Sequence, residues 1–143
     1  MWRLDRAVII TPMADTADGV VRRFYTALSD GDLPGMEACF ATNAVWHLPG
    51  TSLIAGDHHG WIEIRDHFLA RLGPLSGGTI RAELLDVAVG ATYVVAVQHA
   101  TASHKGRTLD VTGCQLMTIR DGQIQEIRGH YSDESALNAF WIE

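Results

Sequence analysis

The sequence predicts an α+β fold in which helices pack on one face of a strongly curved antiparallel sheet. Three observations carry this reading. Apolar residues recur at helical spacing through the first half of the chain, whereas from Thr79 onward the pattern changes to alternating runs broken by Gly-containing turns. Two of those runs, Thr92–His104 and Arg107–Arg120, flank Lys105-Gly106, which supplies the positive φ that a two-residue hairpin turn needs. The order is therefore helices first and a meander after them, with no internal repeat.

Each element has its own signal. Residues 1–14 read as a tether without clear structure, and the domain proper covers 15–143. From Asp15 a helix is signalled by Asp15, Thr16 or Asp18 as cap and by Val20, Val21, Phe24 and Leu28 at helical spacing. It stops at Ser29-Asp30-Gly31-Asp32, where Gly31 suits a left-handed terminus. A short helix over Leu33–Phe40 buries Met36, Cys39 and Phe40, and a strand over Ala44–Leu48 ends at Pro49-Gly50. A loop with Asp57-His58-His59-Gly60 leads to a third helix, Trp61–Leu72, with Trp61, Ile64, Phe68 and Leu72 on one face. Strands follow over Thr79–Val89, Thr92–His104, Arg107–Arg120 and Gln123–Tyr131, and Ser132–Glu143 closes with a turn of helix.

The bulk numbers exclude several functions. A chain of 143 residues is one domain with a proper core. A net charge of −6 leaves no basic stripe for nucleic acid and disfavours an anionic membrane. No apolar run approaches a membrane span, and the apolar stretch at the start is too short for a signal peptide, so a cytoplasmic address is expected. Cys39 and Cys114 read as reduced packing thiols rather than a disulfide framework. No phosphate loop or dinucleotide fingerprint is present, so no cofactor is implied.

Chemistry concentrates on one face of the hairpin. With Lys105-Gly106 as the loop, His104 faces Arg107 and Gln98 lies opposite Gly113. One face then carries Ala96, Gln98, Ala100, Ala102, Leu109, Val111, Gly113, Gln115, Met117 and Ile119. Small side chains on a buried face leave space, and two buried amides need hydrogen-bond partners, which together predict a ligand cavity. A three-residue turn would instead separate the two glutamines.

Phe24-Tyr25-Thr26-Ala27-Leu28-Ser29-Asp30-Gly31-Asp32, the segment Cys39 to Gly50, Ala55-Gly56-Asp57-His58-His59-Gly60, and Arg120-Asp121-Gly122-Gln123-Ile124-Gln125-Glu126-Ile127 occur in this order. This succession resembles the nuclear transport factor 2-like superfamily, and within it the SnoaL-like proteins related to ketosteroid isomerases and polyketide cyclases. The resemblance covers about residues 18–141. It implies a cone-shaped sheet with three N-terminal helices around a deep apolar pocket, and frequent homodimers through the outer sheet face. It also implies acid–base positions on the first helix, the first strand and the last two strands. Here those positions hold Phe24, Leu48, Gln115 and Gly129, all neutral.

The candidate site follows from the strand and helix faces. Gln98, Gln115 and Met117 come from the hairpin, Trp46 and Leu48 from the first strand, and Gly129 and Tyr131 from the last. Phe24 and Phe68 come from the helices. His67, beside Phe68, is either an acid–base group at the cavity or a solvated helix-edge imidazole. Gln98 and Gln115 either polarise a substrate carbonyl or bond each other or a buried water. His58-His59 lacks the spacing of a metal site. His99, Asp110, Cys114, Val95, Val97 and Leu116 share the outer face, which suits an oligomer surface. The expected function is a cofactor-independent cyclase or isomerase acting on an apolar, polyketide-like or terpenoid-like substrate. The alternative is a non-catalytic binder of a hydrophobic metabolite.

Overall fold

The computed structural model describes residues 16–143; the tether expected over 1–14 and the cap expected at Asp15 lie outside the described residues. The first helix, α1, runs Ala17–Asp30. Thr16 caps it by accepting from the Gly19 amide, and Gly31 at φ 66° closes it in the left-handed conformation. The second helix, α2, is Leu33–Glu37, shorter than the sequence suggests, because Phe40 already begins strand β1, Phe40–Leu48. The expected loop around Asp57-His58 is instead a short strand, β2, Gly56–His59, which pairs antiparallel with the end of β1.

The third helix is divided. An α-helical turn, α3, Gly60–Ile64, passes into a π-helical turn, Arg65–Leu69, and then into α4, Ala70–Ser76. The remaining strands are β3 Arg81–Val89, β4 Val94–His104, β5 Arg107–Arg120 and β6 Gln123–Tyr131, and α5 spans Glu134–Phe140.

The six strands form one curved, unclosed sheet in the order β2-β1-β6-β5-β4-β3. Its one departure from the expected antiparallel pattern is the β1–β6 pair, which is parallel because the chain returns to β1 from the far side of the meander. Register shifts put extra residues in β1, β3 and β6 and bend the strands, as bulges do. The hairpin register is the one the turn predicts: Lys105 and Gly106 both have positive φ, His104 pairs with Arg107, and Gln98 pairs with Gly113. Alternation therefore holds along the whole ribbon. Ala96, Gln98, Ala100, Ala102, Leu109, Val111, Gln115 and Met117 are buried under the helices.

Candidate functional site

The concave side of the sheet and the helices line a cavity of about 60 Å³ that is partly open to the surface. Its walls come from every layer: Phe24 and Leu28 on α1, Trp46 and Leu48 on β1, Phe68 and Leu69 on the π-helical turn, and Leu137 and Trp141 at the C-terminus. Ile54 reaches in from the loop before β2. That loop is held by the Arg71 guanidinium on the Leu53 carbonyl at 2.8 Å and by the His58 ring on the Ile54 carbonyl at 2.8 Å. Among the described residues, no charged side chain and no histidine lines the cavity.

The polar content of the wall is two amides, a phenol and the indole N–H of Trp46. Gln98 and Gln115 project from β4 and β5, and Tyr131 from the end of β6. The Gln115 amide nitrogen donates to the Tyr131 hydroxyl at 2.8 Å. Gln98 accepts a hydrogen bond from the Tyr25 hydroxyl on α1. The Gln115 carbonyl oxygen is buried with no protein partner, as is the indole nitrogen of Trp46. Burial pushes the Tyr25 phenol far above the ordinary tyrosine value, and the nearby Tyr131 adds to the rise. Burial likewise raises Tyr131, partly offset by its bond from Gln115. Both phenols are therefore protonated donors at neutral pH.

Two glycines position Tyr131. A Cβ on Gly113 would lie 2.8 Å from the Tyr131 ring, and one on Gly129 would lie 2.9 Å from it and 3.2 Å from the Gln115 oxygen. The ring lies across both glycines and so brings its hydroxyl to Gln115. Part of the space that small residues vacate on this face is thus filled from within the chain.

Most of the expected site residues converge. Phe24, Trp46, Leu48, Phe68, Gln98, Gln115 and Tyr131 line the cavity. Met117 is fully buried without lining it, and Gly129 lies beneath the Tyr131 ring. His67 does not belong to it. At 100° per residue it points roughly 120° away from the mean direction of Trp61, Phe68 and Leu72. Phe68 and Leu69 take the inner side of the π-helical turn, leaving His67 exposed, with its ring 6.4 Å from that of His58.

Tyr25, which reaches Gln98 from α1, is a side chain that the sequence reading omitted. Its signal is helical: four residues after Val21, it falls on the same buried stripe as Phe24 and Leu28.

The opposite face of the sheet is ionic. His47 is held between Asp57 and Glu126, each at 2.7 Å, and His99 meets Asp110 at 2.7 Å. Among the described residues, no cluster of three or more His, Cys, Asp or Glu is placed to hold a metal ion. No helix there is long and apolar enough to cross a membrane.

Residues 21–127 match the SnoaL-like domain family. The chain is 34% identical over 134 residues to an uncharacterised protein of Mycobacterium tuberculosis, covering 90% of this chain and 99% of that one. Its fold is similar to that of Bal32a, from a soil-derived mobile gene cassette, with a TM-score of 0.83 and 36% identity over 87% of this chain and 95% of that one. It is also similar to a protein of Xanthomonas campestris provisionally called a polyketide cyclase, with a TM-score of 0.65 and 25% identity over 88% and 96% of the two chains.

Proposed function

The chain belongs to the SnoaL-like domain family, and from that premise we propose that it is a small-molecule enzyme of cyclase or isomerase type, acting in the cavity on an apolar, polyketide-like or terpenoid-like substrate. The observation that carries this reading is the pairing of an apolar chamber with a neutral set of phenol and amide donors, Tyr131, Gln98 and Gln115. Likeness to the Xanthomonas protein supports the cyclase side of the family.

The lining favours cyclisation over proton shuttling. A 1,3-proton transfer requires a base of matched pKa, and neither carboxylate nor imidazole faces the cavity. In a cyclisation the substrate supplies its own nucleophile. An enol carbon attacks a ketone carbon, the new C–C bond forms, and the carbonyl π pair moves onto oxygen. The Tyr131 hydroxyl and the Gln98 amide hydrogen-bond that oxygen as charge develops. The enol O–H proton then moves to the new alkoxide, giving a β-hydroxy ketone with no external reagent. Excluding water strengthens each of these contacts. His67, exposed on the helix, has no part in it.

The test uses 2,4,8-nonanetrione, whose enolised C3 can close a six-membered ring onto the C8 ketone, with the isomeric product followed by NMR through loss of the C8 ketone signal. Faster cyclisation than in buffer, reduced about 10²–10³-fold by Tyr131→Phe, is the expected result. Tight binding of the trione without conversion would instead establish a metabolite binder. For the outer sheet face we assign a second copy of the chain as partner, on the strength of the half-buried Val95, Val97 and Leu116 between the ion pairs.

A further inference from the structure

The two glutamines of the cavity wall specify a polar edge of its ligand. Gln115 is 1% exposed, yet only its amide nitrogen has a protein partner; its carbonyl oxygen has none. A buried acceptor without a donor costs as much as a lost hydrogen bond, unless something in the cavity supplies the proton. Turning the amide over exchanges oxygen and nitrogen but still leaves one polar atom unmet. On the neighbouring strand, Gln98 uses its oxygen for Tyr25, and among the described residues its amide nitrogen meets no acceptor.

The two glutamines are close enough to address one ligand edge. Gln98 pairs with Gly113, and Gln115 lies two residues further along β5 on the same face. That is the diagonal relation across an antiparallel pair, about 7–8 Å between backbones, within reach of long side chains. One end of the set accepts and the other donates.

Charge is excluded on separate grounds. Among the described residues, no Lys, Arg or His lines the cavity to neutralise an anion, and no carboxylate is there to meet a cation. An ion in such a chamber would lose its hydration with nothing to replace it.

Resting on the reading of this cavity as the substrate site, we infer that Gln115 and Gln98 select an uncharged ligand carrying a hydroxyl or enol O–H beside a carbonyl. Gln115 takes the O–H and Gln98 gives to the carbonyl. A hydroxyl satisfies Gln115 in either amide orientation, since it both donates and accepts.

Four single-ring probes separate the terms: ethylbenzene, acetophenone, α-hydroxyacetophenone and phenylacetate, with dissociation constants from protein NMR titrations. In the wild type, α-hydroxyacetophenone should bind about tenfold more tightly than acetophenone, the yield of one buried hydrogen bond. Phenylacetate, of nearly the same shape, should be the weakest of the four. Gln115→Leu, with Gln115→Met as a second variant should the first not fold, should erase the advantage of the hydroxyl while leaving acetophenone within about threefold. Equal binding of the two ketones by the wild type, or tight binding of phenylacetate, overturns the inferred edge while the cavity remains a binding site. Failure of all four, ethylbenzene included, overturns the edge together with the substrate-site reading on which it rests.

Discussion

The two faces of the β4–β5 ribbon are built from the same alternating strands, yet they solve the problem of polar groups in opposite ways. Inward, Gln98 and Gln115 meet the phenols of Tyr25 and Tyr131, and nothing in the set carries charge at neutral pH. Outward, His99 meets Asp110, and across the sheet His47 meets Asp57 and Glu126. Each kind of polarity is stable only in its own surroundings. Water screens and solvates the outer charges, so their pairing contributes little. Inside, an unpaired charge would cost several kcal/mol, whereas an amide bonded to a phenol costs little.

The sharpest way to break this contrast is to place a charge on the inner face. Gln115→Glu puts a carboxyl where Gln115 is now almost wholly buried. Burial should raise its folded-state pKa above the unfolded value of about 4.3. A group raised in this way leaves stability intact below the unfolded pKa and removes it as pH climbs toward the folded pKa. The variant should therefore match the wild type near pH 4 and lose about 1.4 kcal/mol per pH unit above it, reaching about 3–4 kcal/mol by pH 7. Urea unfolding at several pH values measures this. A flat difference across pH would mean that water reaches Gln115.

Tyr25→Phe tests the inner face without adding charge. It removes one donor and leaves the Gln98 oxygen buried and unpaired, a loss of about 1–3 kcal/mol. The loss should not change between pH 5 and 8, because neither partner titrates there. A loss that varied across this range would show that the pair is not the neutral one described.

How far the sequence reveals this contrast depends on which force sets each position. The register of Gln98 opposite Gly113 was readable because Lys105-Gly106 fixes the turn, and alternation then places every other residue. The cavity was readable from small residues on a face that must be buried. His67 lies off the cavity for a reason that spacing does show: at 100° per residue it falls about 120° from the Trp61, Phe68 and Leu72 stripe, whereas the π-helical turn and the consecutive burial of Phe68 and Leu69 have no signature in spacing. The parallel β1–β6 pair depends on contacts between segments some 80 residues apart, which local pattern does not encode. Nor does it show that the Tyr131 ring would cover Gly113 and Gly129, because a strand glycine marks a close approach without naming what approaches.

On the outer face the effects should be smaller. If Val97 seats a second copy, Val97→Glu should convert a dimer to a monomer in light scattering while leaving the unfolding midpoint of the monomer unchanged. A wild-type chain that is monomeric at high concentration would remove the dimer assignment. His99→Gln, at an imidazole 38% exposed beside a carboxylate 78% exposed, should change stability by less than about 0.5 kcal/mol, and less still in high salt. A loss as large as that of Tyr25→Phe would erase the distinction between the faces.

The smallest expected effect is also the one whose sign is most informative. The His47 ring beside Asp57 holds the Asp57 carboxyl below the ordinary aspartate value, with a smaller contribution from the charges of His59 and Arg128. A carboxyl lowered by folding contributes stability above its unfolded pKa and loses it as pH falls through the folded value. The wild type should therefore give up a small part of its stability below about pH 4, and Asp57→Asn should lack that component of the acid limb. Because Asp57 is freely solvated, the difference should shrink as salt is added. This is opposite in sign to the expectation for Gln115→Glu, where acidification restores stability. If protonating the Asp57 carboxyl of the wild type and protonating the carboxyl introduced by Gln115→Glu moved stability in the same direction, the two faces would not differ in the way their hydrogen bonds indicate.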